Sequence, residues 1–218
     1  MSRETMQEVK QELKLAGKQE LRLAGSGGQG VILASVIIAE AALLSGMNVA
    51  QSQSYGPEAR GGSCKAEVVI SPEEIGFTKV QKPTFLMALT QKALDTYKND
   101  LAEGCLVLID SSLELPADLD PKYVISAPIL ETARKKVGKL QTANIVAVGC
   151  ICKLLGIGTK KTVAKAVFMH VPRGTEALNE KALDEGLALV EKHEAEKHEA
   201  ENKAEKHESA KPNQEAAK

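Results

Sequence analysis

Leu21-Arg22-Leu23-Ala24-Gly25-Ser26-Gly27-Gly28-Gln29-Gly30-Val31-Ile32-Leu33 carries the chain from a short alternating segment through a glycine turn into an apolar run. Leu21 to Ala24 reads as a strand. Val31 to Leu44, with 12 apolar residues of 14, reads as a helix buried against a sheet and a neighbouring element. Strand, glycine turn and helix in this order are how a nucleotide-binding α/β domain begins. Gly25, Gly27 and Gly30 match the dinucleotide spacing, and a helix starting near Gln29 points free backbone amides and a positive dipole end at an anion. The second strand, however, ends Val49-Ala50-Gln51-Ser52-Gln53 without the acid that would hold a ribose. No lysine follows the last glycine, which excludes the usual P-loop. A bound dinucleotide is therefore the lesser reading of the turn, beside an anion or a polar partner group on one side and tight packing of helix on strand on the other.

A second constellation follows that strand: Gln53-Ser54-Tyr55-Gly56-Pro57-Glu58-Ala59-Arg60-Gly61-Gly62-Ser63. In an open α/β sheet the loops at the carboxyl ends of strands line the ligand crevice, so this loop and the glycine turn are expected to be neighbours. Gly56, Gly61 and Gly62 permit unusual backbone angles, and Arg60 offers a planar five-donor fork suited to a carboxylate or phosphate. The plainer alternative is an ordered turn in which Arg60 pairs with Glu58 or another local acid. A binding or interface role is favoured, because loops of this kind carry function more often than they merely connect.

Further along, Cys64 to Ile70 alternates as a strand with one wet face and, so close to its predecessor, is expected to run antiparallel. Ser71-Pro72-Glu73-Glu74 reads as a helix start with serine capping and proline in the first turn. Strands are predicted at Thr84 to Leu89, Leu106 to Ile109 and Tyr123 to Ser126, with Gln91 to Tyr97 helical between the first two. Helices are predicted at Ile129 to Lys136, Thr142 to Leu155, Lys160 to Val167 and Thr175 to Val190. The expected fold class is α/β: a three-layer Rossmann-like domain whose sheet is mostly parallel with at least one antiparallel strand. Asp110 with Ser111 and Ser112 reads as a turn, Asn144 as a local cap or buttress, and His170 as structural.

Composition bounds the rest. With 218 residues and 43% hydrophobic content the chain has the material for one substantial core. A net charge of -1, with both signs mixed, offers no electrostatic footprint for nucleic acid. The longest apolar run is broken by Ser35 and Glu40, and the first residues lack an apolar signal core, so no membrane span is expected and the location is read as cytoplasmic. Cys64, Cys105, Cys150 and Cys152 form no Cys-x-x-Cys pair and read as buried, reduced thiols; no metal site is assigned.

Two segments flank the domain. Gln11 to Lys18 nearly repeats Gln19 to Ser26, and Lys192-His193-Glu194-Ala195-Glu196 recurs as Lys197-His198-Glu199-Ala200-Glu201. The division is therefore an N-terminal extension over 1–18, a domain over 19–190 and a low-complexity tail over 191–218. The tail reads as a solvated, at most helical segment. His193 and His198 lie about 140° apart on a helix and do not share a face for metal.

The combination of Gly25-Ser26-Gly27-Gly28-Gln29-Gly30, then Tyr55-Gly56-Pro57-Glu58-Ala59-Arg60-Gly61-Gly62, then Thr142-Ala143-Asn144 opening an apolar helix resembles the gamma subunit of 2-oxoacid:ferredoxin oxidoreductases. Gln51-Ser52-Gln53-Ser54 before Tyr55, and Ser71-Pro72-Glu73-Glu74-Ile75 after the strand, resemble its 2-oxoglutarate branch most. The resemblance runs from about Leu21 to Val190. It implies a non-catalytic subunit of a complex that decarboxylates a 2-oxoacid on thiamine diphosphate with Mg, passes electrons through iron–sulfur clusters to ferredoxin, and releases an acyl-CoA. Alpha and beta subunits, and in some members delta, are the implied partners. They hold the cofactors, none of which is expected on this chain alone. The candidate cofactor-binding or interface residues are then Gly25, Gly27, Gly28, Gln29, Gly30, Tyr55, Gly56, Arg60, Gly61 and Gly62, facing CoA or a partner surface. The alternative is a stand-alone nucleotide- or CoA-binding protein of Rossmann type.

Overall fold

The computed structural model describes residues 17–55 and 63–209. Six strands form one sheet: β1 (Gln19–Ser26), β2 (Asn48–Tyr55), β3 (Ser63–Ser71), β4 (Phe85–Ala88), β5 (Leu106–Asp110) and β6 (Val124–Ala127), in the order β2-β3-β1-β4-β5-β6. β1, β4, β5 and β6 are mutually parallel, whereas β3 is antiparallel to both β1 and β2. The expected antiparallel member is thus β3, and it stands between the first two strands rather than beside only its predecessor.

Alternation along β1 divides the core. Leu21 and Leu23 point to the face that also carries Ala66, Val68 and Ile70 of β3. That face is covered by α1 (Val31–Leu44), α4 (Ala143–Leu155), α5 (Lys160–His170) and the first turns of α6 (Glu176–Ser209). Ala24 points the other way, into a smaller cluster with Leu86, Ala88, Val107, Ile109 and the buried Ala93 and Leu94 of α2 (Gln91–Tyr97). Every residue of α4 except Lys153 is buried, because the helix lies between the sheet with α1 and the outer α6. Where α4 meets α6 the backbones touch. A Cβ on Gly149 would lie 2.5 Å from the Leu183 carbonyl oxygen, and one on Gly186 would overlap the Val146 carbonyl oxygen.

Beside α2, the second face is closed over β1 and β3 by an ion pair and a crossing segment instead of another helix. Arg22, 3% exposed, donates through Nε to Glu67 Oε1 at 2.8 Å, through Nη1 to Asp100 Oδ2 at 2.8 Å and through Nη2 to the Val80 carbonyl at 3.4 Å. Its guanidinium lies 5.3 Å from the Tyr97 ring centroid, and Lys65 Nζ reaches Glu67 Oε1 at 3.1 Å. This network explains one departure from expectation. Ser71 to Glu74 does not open a helix: Ser71 ends β3, its Oγ accepts the Glu73 amide at 3.0 Å, and the chain then crosses the sheet face to bring Val80 onto Arg22.

Two helices also differ from their predicted form. The segment from Ile129 is α-helical only to Thr132 as α3 (Ile129–Thr132), then widens into a π turn over Ala133–Val137 that ends at left-handed Gly138, where the Gly138 and Lys139 amides both donate to the Ala133 carbonyl. The last helix starts at Glu176 and runs to Ser209, past Val190, where the apolar periodicity that marked it in the sequence stops.

Candidate functional site

The glycine turn joins the carboxyl end of β1 to the amino end of α1, and its conformation is set by side chains that fold back onto it. Gln29 Oε1 accepts the Ser26 amide at 2.7 Å, Gln29 N donates to the Ser26 carbonyl at 3.2 Å, and Gln29 Nε2 donates to the Leu89 carbonyl at 3.4 Å. The space this requires exists only over a glycine, since a Cβ on Gly25 would lie 2.5 Å from Gln29 Oε1. Gly30 takes a left-handed conformation at φ 71 and caps α1 without any side-chain hydrogen bond. A Cβ there would lie 2.5 Å from Asn144 Nδ2, which donates to the Gly30 carbonyl at 3.4 Å. Asn144 Oδ1 meanwhile accepts the Ile145 amide at 3.0 Å. The expected local role of Asn144 holds for its contact with the Ile145 amide, but its buttressing contact is with distant Gly30, which brings the amino ends of α1 and α4 together.

Gln29 is therefore engaged inside the turn, while Gly27 and Gly28 are its exposed members, with open space above Gly28. With no side-chain cap on α1, its first-turn amides keep the donor capacity and the partial positive charge of a helix amino end.

The register fixes where the second loop stands. Tyr55 pairs with Cys64, Cys64 with Gly25, and Ser63 with Ser26, so both stems of the loop lie at the carboxyl end of β1, next to the glycine turn. The expected adjacency holds for the stems. Gly56, Arg60, Gly61 and Gly62 lie outside the described residues. The same register corrects the dinucleotide reading. In a dinucleotide fold the second strand neighbours the first, but here β3 intervenes and β2 is two strand spacings away, about 10 Å. The ribose-binding acid is missing from β2, and its usual place beside the turn is filled by an antiparallel strand.

Along the same sheet edge Asp110, 2% exposed, receives the Ser112 amide at 3.0 Å on Oδ1 and the Leu130 amide at 2.8 Å on Oδ2. It closes its own turn and caps the segment that follows β6, as the turn reading requires. Next to it is a cleft of about 450 Å³ whose lining includes Arg134 and Lys135 of the π turn, Lys135 paired with Glu131 at 2.6 Å. Neither cation was singled out in the sequence, because their distance from Asp110 along the chain hides the proximity. His170 sits at the end of α5 with Nε2 3.6 Å from Glu40 Oε2 of α1, a structural contact.

All four cysteines are buried and free. Burial pushes the thiols of Cys105, Cys150 and Cys152 up to about 12, and that of Cys64 upward as well. Among the described residues no three His, Cys, Asp or Glu side chains converge in a way that could hold a metal. No helix among the described residues is long and apolar enough to cross a membrane.

Comparison with known proteins places this geometry. The family described as pyruvate ferredoxin/flavodoxin oxidoreductase matches residues 20–189. The 2-oxoglutarate synthase subunit KorC of Methanocaldococcus jannaschii is 43% identical, over 79% of this chain and 94% of its own length. The crystal structure of a keto/oxoacid ferredoxin oxidoreductase gamma subunit from Geobacter sulfurreducens is 43% identical, with a TM-score of 0.69 over 79% of this chain and 96% of that one. The ketoisovalerate oxidoreductase subunit VorA of Methanothermobacter thermautotrophicus is 35% identical over 78% of this chain, which covers only 35% of that longer protein.

Proposed function

Because the chain belongs to the pyruvate ferredoxin/flavodoxin oxidoreductase family, we propose that it is the gamma subunit of a cytoplasmic 2-oxoglutarate:ferredoxin oxidoreductase. The complex decarboxylates 2-oxoglutarate and releases succinyl-CoA and CO2 with reduction of ferredoxin. The observation that carries this reading is the 43% identity to a 2-oxoglutarate synthase subunit across 94% of that subunit's length.

Within the complex this chain contributes no acid, base or redox centre. Thiamine diphosphate with its Mg, and the iron–sulfur clusters, belong to alpha and beta subunits, with delta where the complex has one. What this chain supplies is one wall of the site: exposed Gly27 and Gly28 at the uncapped amino end of α1, with the stems of the 56–62 loop alongside. Gly25, Gln29 and Gly30 shape that wall, Gln29 by closing the turn and Gly30 by admitting Asn144. Tyr55, Gly56, Arg60, Gly61 and Gly62 are assigned to the same function from their sequence chemistry, Arg60 because its planar five-donor fork suits a CoA phosphate or a carboxylate.

Reconstitution tests both levels. Omitting this chain from the purified subunits should abolish 2-oxoglutarate- and CoA-dependent reduction of ferredoxin, and full activity without it would remove the gamma-subunit reading. In the assembled complex Arg60→Ala should raise KM for CoA about tenfold with kcat little changed, as loss of one charge-assisted phosphate contact predicts. An unchanged KM in an intact complex would make the loop a connector only.

A further inference from the structure

Seven large apolar side chains are exposed among the described residues, and four of them are grouped: Leu43 (58%), Leu44 (36%), Phe168 (37%) and Met169 (55%). Phe77, Leu115 and Leu140 lie apart, on separate connections. Leu43 and Leu44 end α1, and Phe168 and Met169 lie on the outer side of α5, which packs against α1. On α5, Lys161, Lys165, Phe168 and Met169 are spaced by three and four, so two cations and two apolar groups form one stripe. Lys160 is spoken for by Asp184 of α6 at 2.7 Å, but Lys161 and Lys165 have no ion pair among the described residues. Between α5, the end of α1 and α6 lies an open groove of about 900 Å³ with an apolar floor and this lysine rim. A concentrated apolar patch rimmed by charge marks an interaction site, whereas apolar residues scattered singly do not.

We propose that this surface docks an apolar, carboxylate-flanked segment of the larger catalytic subunit of the complex. The proposal rests on the gamma-subunit reading and adds the face by which the subunit is held. Two observations select this occupant over a second copy of the chain. An isologous dimer through this face would bring Lys161 and Lys165 of both copies together with no acid to offset them, except Glu180 at the groove wall. In addition, the homologous region forms only about a third of the VorA relative, 35% of its length, so there the domain is joined covalently to further chain. The KorC relative, 94% of whose length this chain covers, carries the same domain without that further chain, so a surface has to stand in for the covalent link, and among the described residues this is the surface left apolar and basic. The face lies at the opposite end of α1 from the glycine turn, about 20 Å away along the 14-residue helix, so a partner seated here leaves the turn open.

The test titrates the full chain against the purified thiamine- and iron–sulfur-bearing subunits of the same organism, with binding followed by biolayer interferometry and self-association by sedimentation. Lys161→Glu with Lys165→Glu, and separately Phe168→Ser with Met169→Ser, should each weaken Kd at least about tenfold. The charge-reversal effect should shrink in about 0.5 M salt, where the Debye length is only a few ångströms. These side chains are exposed, and an unchanged melting temperature verifies folding. Wild-type chain that does not bind the subunits at all defeats the gamma-subunit reading itself. Wild type that binds while both double variants bind within about twofold overturns the docking face alone. A wild-type dimer that the variants lose, with subunit binding unaltered, assigns the face to a second copy and also overturns the proposal.

Discussion

Replacing Gly186 by Ala sets two magnitudes against each other. Helix propensity alone favours alanine in the interior of α6 by about 1 kcal/mol. The packing is opposed: a Cβ at this position overlaps the Val146 carbonyl oxygen and comes within 3.1 Å of Gly149 Cα. Both neighbours are backbone, so no side chain can swing aside; the helices must separate. α4 is buried at every residue except Lys153, so separation loosens contacts on the sheet side too. Overpacking of this kind costs about 1 to 3 kcal/mol, and because the obstruction is rigid the upper end applies. The net expectation is a loss of about 2 kcal/mol, read as a lower urea midpoint at unchanged m in circular dichroism of the full chain. Gly149→Ala, whose Cβ would meet the Leu183 carbonyl at 2.5 Å, should behave alike. The double variant should cost less than the sum, since one separation relieves both. Gly76, with no positive φ and nothing within 4 Å of a Cβ, is the control and should change by less than about 1 kcal/mol. A Gly186→Ala protein more stable by the propensity increment would refute the close-contact reasoning.

Two further expectations concern the buried polar and thiol groups. Arg22→Ala should cost about 3 to 5 kcal/mol in the same urea assay, because Glu67, 7% exposed, is left buried with only Lys65 to face it, and pairing Arg22→Met with Glu67→Leu should recover most of the loss. Native protein at pH 8 should leave Cys105, Cys150 and Cys152 unreacted with a thiol reagent until urea exposes them, since burial pushes these thiols to about 12. The sign follows: a thiol raised from 9.0 favours the protonated folded state, so its stability contribution is complete below about pH 9 and is lost as pH rises toward 12, where a falling urea midpoint should be measured.

The local parts of this fold are written plainly in the chain. The glycine turn lies between β1 and α1 as its residues require, and Gln91 to Tyr97 forms a helix with the bounds its pattern predicts, capped by Thr90 accepting the Ala93 amide at 3.3 Å. Parts settled by distant contacts were not legible. Nothing near Gly30 announces that Asn144, 114 residues on, needs its missing side chain. The place of β3 between β1 and β2 depends on long-range pairing, and a dinucleotide spacing read without it points to the wrong neighbour strand. Ser71-Pro72-Glu73 has the chemistry of a helix start, but the demand for Val80 over Arg22 overrides it. The continuation of α6 to Ser209 had no apolar period to mark it; it is mostly Glu, Lys and Ala, whose helix propensity needs no core, interrupted by His193, His198, Asn202 and His207.

The central place of β1 has a kinetic consequence. β2 and β3 join through a local hairpin, but β1 must find Glu67 opposite Arg22, 45 residues away, on one side and Thr84 beside Glu20, 64 residues away, on the other. Closing such loops before any contact rewards them is slow, so local elements assemble first and a strand with only remote partners is inserted late. The glycine turn is the continuation of that strand. During folding, the surface proposed to meet CoA is therefore expected to be among the later parts of the domain to acquire its shape.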